Sequence, residues 1–109
     1  MVSTHVLDTA RGLPGAGIEV RLYHLVGADG NEIANGVTDM NGRWDAGMAV
    51  ELTEAFYELE FITGAYFEQL ATQSFYDVIT IRFRIDSPSD KYHVPLLLSP
   101  FGYSTYRGS

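Results

Sequence analysis

The chain has 109 residues, of which 46% are hydrophobic, 19% charged and 13% aromatic, a composition that suits one globular domain over residues 1–109 and excludes a disordered or fibrous chain. Seven Lys/Arg against fourteen Asp/Glu leave a formal charge of −7, which argues against a nucleic-acid partner because such proteins present a basic face. With no cysteine, a disulfide framework, a thiolate metal site and thiol catalysis are all ruled out.

The chain opens on Met1-Val2-Ser3-Thr4-His5, which has neither the basic nor the long apolar region of a signal peptide. Either the protein is cytoplasmic or a leader has already been removed. A short extended piece is predicted over residues 4–7, followed by a turn-rich stretch over 8–15 that holds Gly12, Pro14 and Gly15. Ile18, Val20 and Leu22 alternate with polar neighbours, as in a half-buried strand. Residues 28–31 read as a hairpin turn, 32–38 as extended, and Asp39-Met40-Asn41-Gly42 as a second turn with an Asn-Gly pair suited to positive φ.

Period two returns at Tyr57, Leu59 and Phe61, and again at Ile79, Ile81, Phe83 and Ile85. Between these two strands, residues 65–72 are the one stretch that reads as helix, about two turns long. Residues 86–90 form a polar loop around Pro88. Residues 92–99 are extended, with Leu96-Leu97-Leu98 suggesting burial on both faces, and 102–107 form a last strand. The purely apolar run over 94–98 is too short to span a bilayer, so no membrane partner is expected. Short strands at roughly 10-residue spacing with one short helix predict an all-β fold, an antiparallel β-sandwich of about eight strands in two sheets.

The candidates for chemistry are few. Of the three histidines, His24 ends the Ile18–Leu22 face with nothing reactive beside it and reads as structural. His5 shares a strand face with Ser3 and Leu7, a polar-to-apolar gradient of the kind found where a strand enters a pocket. His93 lies between Lys91-Tyr92 and Val94-Pro95. No His-x-His pair is present, so a metal site is not expected. There is no nucleophile elbow or phosphate loop either. Arg43 follows the Asn41-Gly42 corner, where a side chain is either aimed at a ligand or paired with Asp39 or Asp45. The C-terminal run from Phe101 to Ser109 is dense in aromatics and hydroxyls.

Three segments then carry a resemblance across nearly the whole chain. They are Ser3-Thr4-His5-Val6-Leu7-Asp8, Thr38-Asp39-Met40-Asn41-Gly42-Arg43, and Tyr92-His93-Val94-Pro95-Leu96-Leu97-Leu98-Ser99 running on to Tyr106-Arg107-Gly108-Ser109. In these motifs the chain resembles the 5-hydroxyisourate hydrolases, the enzymatic branch of the transthyretin-like family. The terminal Tyr-Arg-Gly-Ser is the most specific element, since it marks the hydrolases and is absent from the hormone carrier. One departure is visible: many members have His-Tyr-His where this chain has Lys91-Tyr92-His93.

The resemblance implies a transthyretin-type sandwich of two four-stranded sheets. It also implies a homotetramer enclosing a channel, with each active site at the dimer–dimer interface. The implied reaction is hydrolysis of the ring amide of 5-hydroxyisourate, in urate degradation, with no metal or other cofactor. His5, Arg43, His93 and Ser109 take catalytic positions by this analogy, and His5, Arg43, Tyr106, Arg107 and Gly108 contact the substrate. Water attack needs a base near neutral pKa and a cation near the developing oxyanion. One of His5 and His93 would supply the base, and the sequence leaves open which. The charge of −7 is compatible with an oxygen-rich substrate if Arg43, Arg107, Lys91 and the histidines converge, because a cleft's lining sets its potential. The competing expectation is a transthyretin-like small-ligand carrier without catalysis.

Overall fold

The computed structural model describes all residues, Met1–Ser109. In chain order the elements are β1 (Val2–Asp8), β2 (Leu13–Pro14), β3 (Glu19–Val26), β4 (Asp29–Val37), β5 (Arg43–Asp45), β6 (Ala55–Phe61), α1 (Thr63–Gln69), β7 (Ile79–Ile85), β8 (Tyr92–His93), β9 (Leu96–Ser99) and β10 (Gly102–Thr105). They form two sheets. One runs β4-β3-β6-β7, with every pairing antiparallel. The other is built around β1, which pairs antiparallel with β5 along Ser3–His5 and with β2 along Leu7–Asp8. On its other side β1 pairs with β8 and β9, and these two pairings are parallel. β10 completes the sheet on β9. β8 and β9 are two halves of one strand broken at Val94-Pro95, and β2 is only a two-residue flank, so eight principal strands remain. The predicted sandwich is therefore present, with one mixed sheet in place of a wholly antiparallel one.

Alternation decides the core. Val20 and Leu22 of β3, Tyr57, Leu59 and Phe61 of β6, and Ile79 and Ile85 of β7 face inward and are almost fully buried. Val2 and Val6 of β1 and Leu96 and Leu98 of β9 meet them from the other sheet. Each such side chain contributes about 1.5–3 kcal/mol over the exposed state. Leu97 departs from the sequence expectation: it points to the outer face, beside Leu7, and is only half-buried. No helix is long and apolar enough to cross a membrane.

Other boundaries moved for identifiable reasons. The β3–β4 turn falls on Gly27-Ala28, ahead of the predicted 28–31, because Gly27 supplies the positive φ (63°) that closes a two-residue loop. The helix begins at Thr63, two residues before the predicted start. Its first turn is fixed by tertiary contacts that propensity does not register: Gly64 N–H donates to Asp77 O at 2.8 Å, and a Cβ on Gly64 would collide with the Asp77 carboxylate. β5 escaped prediction because three residues give no period. Trp44 packs inward there over Gly36, whose missing side chain leaves room for the indole.

Candidate active site

The inward turn of Trp44 sends its neighbours Arg43 and Asp45 to the outer face of the β1 sheet. There Arg43 lies directly opposite His5, and Asp45 opposite Ser3. Direct neighbours of this kind have Cβ atoms about 4.5–5.5 Å apart. On the other side of β1, Ser3 pairs with His93. His5 and His93 are therefore diagonal neighbours, roughly 8 Å apart between Cα atoms from strand spacing and rise. Three adjacent strands thus bring Arg43, His5 and His93, far apart in sequence, onto one patch.

Each of the three is held differently. The backbone of Arg43 is fixed by the corner before it. Asp39 Oδ1 accepts the Asn41 N–H at 2.8 Å and the Arg43 N–H at 3.0 Å. Gly42 takes φ 75° and lies so close to the Val6 carbonyl that any Cβ would overlap it. The Arg43 N–H bond and then the Asn41 N–H bond hold the Asp39 carboxyl below its usual range. Asp39 thereby serves the corner's backbone. The Arg43 guanidinium makes no salt bridge with it or with Asp45, so the side chain is free to meet a ligand.

His93 Nδ1 lies 2.8 Å from Ser3 Oγ. Its Nε2 has no protein partner and is open to solvent. Burial, then the charges of Arg43 and His5, lower the His93 pKa from the ordinary imidazole value. The ring is thus biased toward its neutral form, in which one nitrogen can accept a proton. His5 is half-buried and makes no side-chain hydrogen bond. Ser3 was missed as a site residue by sequence reasoning. Its signal was only that it shares the outward face of β1 with His5.

A cleft of about 290 Å³ opens over the Arg43 and His93 side of this patch, lined by Ser3, Arg43, Asp45, Lys91, His93 and Ser109, with His5 beside it and not in its wall. Gly108 borders it too: its N–H donates to the His93 carbonyl at 2.8 Å, and a Cβ there would come within 2.6 Å of the imidazole Cδ2. Only glycine lets the tail lie flat against that ring. Tyr106 and Arg107 do not line the cleft. They border a separate, apolar slot of about 310 Å³ between β7 and the tail, with Ile81, Phe83, Tyr92 and Val94. The expected convergence of cations therefore includes Arg43 and Lys91 but not Arg107, whose guanidinium is drawn to the Tyr92 ring and the Lys91 carbonyl. No three His, Asp or Glu side chains gather as a metal site. His24 lies elsewhere, 5.1 Å from the Tyr57 ring, a packing role as expected.

What the arrangement can do is bind a planar, oxygen-rich molecule on Arg43, take a proton at an imidazole nitrogen and oppose a developing negative charge. Comparison with known proteins places the chain in one family. The chain is 43% identical to a 5-hydroxyisourate hydrolase of Deinococcus radiodurans, over 99% of this chain and 95% of that protein. It superposes on the 5-hydroxyisourate hydrolase of Klebsiella pneumoniae with TM-score 0.86 and 38% identity, covering 99% of this chain and 92% of that one. Sea bream transthyretin in complex with thyroxine gives TM-score 0.90 at 27% identity, covering 98% and 93%. The sequence profile of the HIUase/Transthyretin family matches residues 2–108, and the chain belongs to that family.

Proposed function

We propose that this chain is an enzyme that hydrolyses 5-hydroxyisourate, opening its six-membered-ring amide to 2-oxo-4-hydroxy-4-carboxy-5-ureidoimidazoline. The observation that carries the reading is the outward-facing trio His5, Arg43 and His93 on three adjacent strands. The carrier in the family shares the shape, so the fold cannot choose between hydrolysis and transport. A carrier of small apolar ligands has no use for this polar trio.

His93 is the better placed base. Its Nδ1 is occupied by Ser3, its Nε2 is open, and it is poised neutral. In this mechanism His93 takes a proton from water, and the hydroxide adds to the ring carbonyl. Arg43 holds the ring and opposes the oxyanion, with His5 beside it as a second polarising group. Collapse of the tetrahedral adduct breaks the carbonyl carbon–nitrogen bond, and the imidazolium returns its proton to the departing nitrogen. Ser109, on the cleft wall, positions the water, and Gly108 keeps the ring in place.

The same reading includes a homotetramer, in which a second subunit covers the cleft and completes the site. It is supported by the outer face itself, where Leu7 and Leu97 lie exposed or half-exposed next to the polar patch. Tyr106, 58% exposed in the single chain, is then available to contact substrate. The test is a coupled ultraviolet assay in which urate oxidase generates the substrate in situ. Faster decay with this protein, lost in His5→Ala and His93→Ala, is expected. Decay at the spontaneous rate, in a protein that sediments as a tetramer, would favour the carrier.

A further inference from the structure

Arg107 alternates with Gly108 along the C-terminal tail, and the two do opposite things. Gly108 bridges antiparallel to His93, so it faces outward with the imidazole. Arg107 leaves the tail on the other side and stays exposed, its guanidinium laid over the buried Tyr92 ring from the surface. Its guanidinium carbon sits 4.5 Å from the centre of that ring, and its Nη2 donates to the Lys91 carbonyl at 3.2 Å. Thr105 Oγ1 adds a bond of 2.7 Å to the Pro95 carbonyl. The tail is thus tied down at two points just ahead of Gly108, the residue that touches His93.

We propose that Arg107 is a positioning residue: anchored on the Tyr92 ring and the Lys91 carbonyl, it presses Gly108 against the His93 imidazole. The ring is thereby confined between Gly108 on one side and Ser3 on the other, with Nδ1 on the serine and Nε2 left to the cleft. A planar guanidinium is suited to this task because it stacks and donates at once, which an ammonium cannot do in one geometry. With Gly108 bridged to His93, the Arg107 side chain borders the slot beside Tyr92 and not the cleft. The consequence for reactivity rests on the hydrolase reading above. The effect on the imidazole does not.

The test uses the full chain with Arg107→Gln and Arg107→Lys. It is read first without substrate, by nitrogen-15 NMR of the imidazoles. The groups around His93 are Met1 with its N-terminal ammonium, Ser3 from β1, Arg43 and Asp45 from β5, Lys91 before β8 and Ser109 from the tail, with the charge of His5 on β1 also acting on the ring. None of these is altered by either variant. In Arg107→Gln the His93 Nδ1 signal is expected to lose its hydrogen-bonded character, with the His93 midpoint rising toward the ordinary imidazole value as the tail lifts. Arg107→Lys should recover part of both. In turnover, Arg107→Gln should lower kcat by about 10- to 100-fold, as loss of a partner that orients a reacting imidazole does, with KM within about twofold.

Unmoved His93 signals in a folded Arg107→Gln protein overturn the proposal, whatever happens to its melting temperature. A raised KM with kcat preserved also overturns it, because that pattern marks a direct substrate contact. Absence of turnover in the unmodified protein would count against the hydrolase reading alone, since the NMR arm still decides the role of Arg107.

Discussion

The two ends of β1 carry polar groups that are treated in opposite ways. At the Asp8 end the side chain points inward and is fully buried. Every polar demand there is met: Oδ1 accepts the Ala10 and Arg11 N–H groups at 3.1 Å each, and Oδ2 accepts the Tyr66 hydroxyl at 2.8 Å. Burial first, and then the Asp8 carboxylate, push the Tyr66 phenol up to about 12, so it stays a donor at any working pH. At the His5 end the side chains point outward, and Arg43, His5 and the Nε2 of His93 are left without protein partners. One strand therefore holds a closed network and an open one a few residues apart. Closed networks tie elements together, here α1 to β1, whereas open ones keep their bonding capacity for something that arrives later.

Substitutions that respect this division should separate activity from stability. At the open end, His93→Ala should lower kcat/KM by about 10²–10⁴-fold, the range of a lost general base, and Arg43→Ala by about 10²–10³-fold, that of a lost oxyanion partner. In both, thermal unfolding should stay close to that of the unaltered chain, because neither side chain carries a network of the fold. A large loss of stability in Arg43→Ala would show the two ends to be less distinct than their bonding suggests. At the closed end, Tyr66→Phe leaves Asp8 Oδ2 buried without a donor. It should cost about 1.5–3 kcal/mol in chemical denaturation, the worth of a hydrogen bond to a charged group, while turnover per folded molecule is unchanged.

The same division explains what could be read in the sequence. His5, Arg43 and His93 stood out because each sits in a recognisable motif, and the motifs also implied the sandwich. The alternation at Ile18–Leu22, at Tyr57–Phe61 and at Ile79–Ile85 marked the core strands correctly, because period two is a local property. The parallel pairing of β1 with β8 and β9 is not local, and nothing in the chain near Ser3 announces Val94. Ser3 looked unremarkable for the same reason: its partner, His93, is 90 residues away. Arg107 was placed with the substrate by analogy, because the motif gives residue order but not the side of the tail from which each side chain leaves. Asp8 and Tyr66 likewise carried no signal of their pairing, 58 residues apart.

The smallest expected effect is also the most direct probe of the open cluster. His93 titrates below the ordinary imidazole value, about 6.5, because of burial first and the charges of Arg43 and His5 second. In the unfolded chain that protection is absent. Between the native midpoint and about pH 6.5 the unfolded state therefore binds more protons, and stability contributed by this group rises with pH across that window. Above the window it is constant, and below the native midpoint it is lost. The acid limb of kcat/KM should follow the native midpoint, since the protonated ring cannot act as a base. Arg43→Gln removes one of the two charges and leaves the burial, so the His93 midpoint, followed by NMR, should move up without reaching the value of a free imidazole. A midpoint that does not move would mean that Arg43 and His93 do not share a field. The cluster would then be three separate side chains on one face, and the comparison with Asp8 would lose its open half.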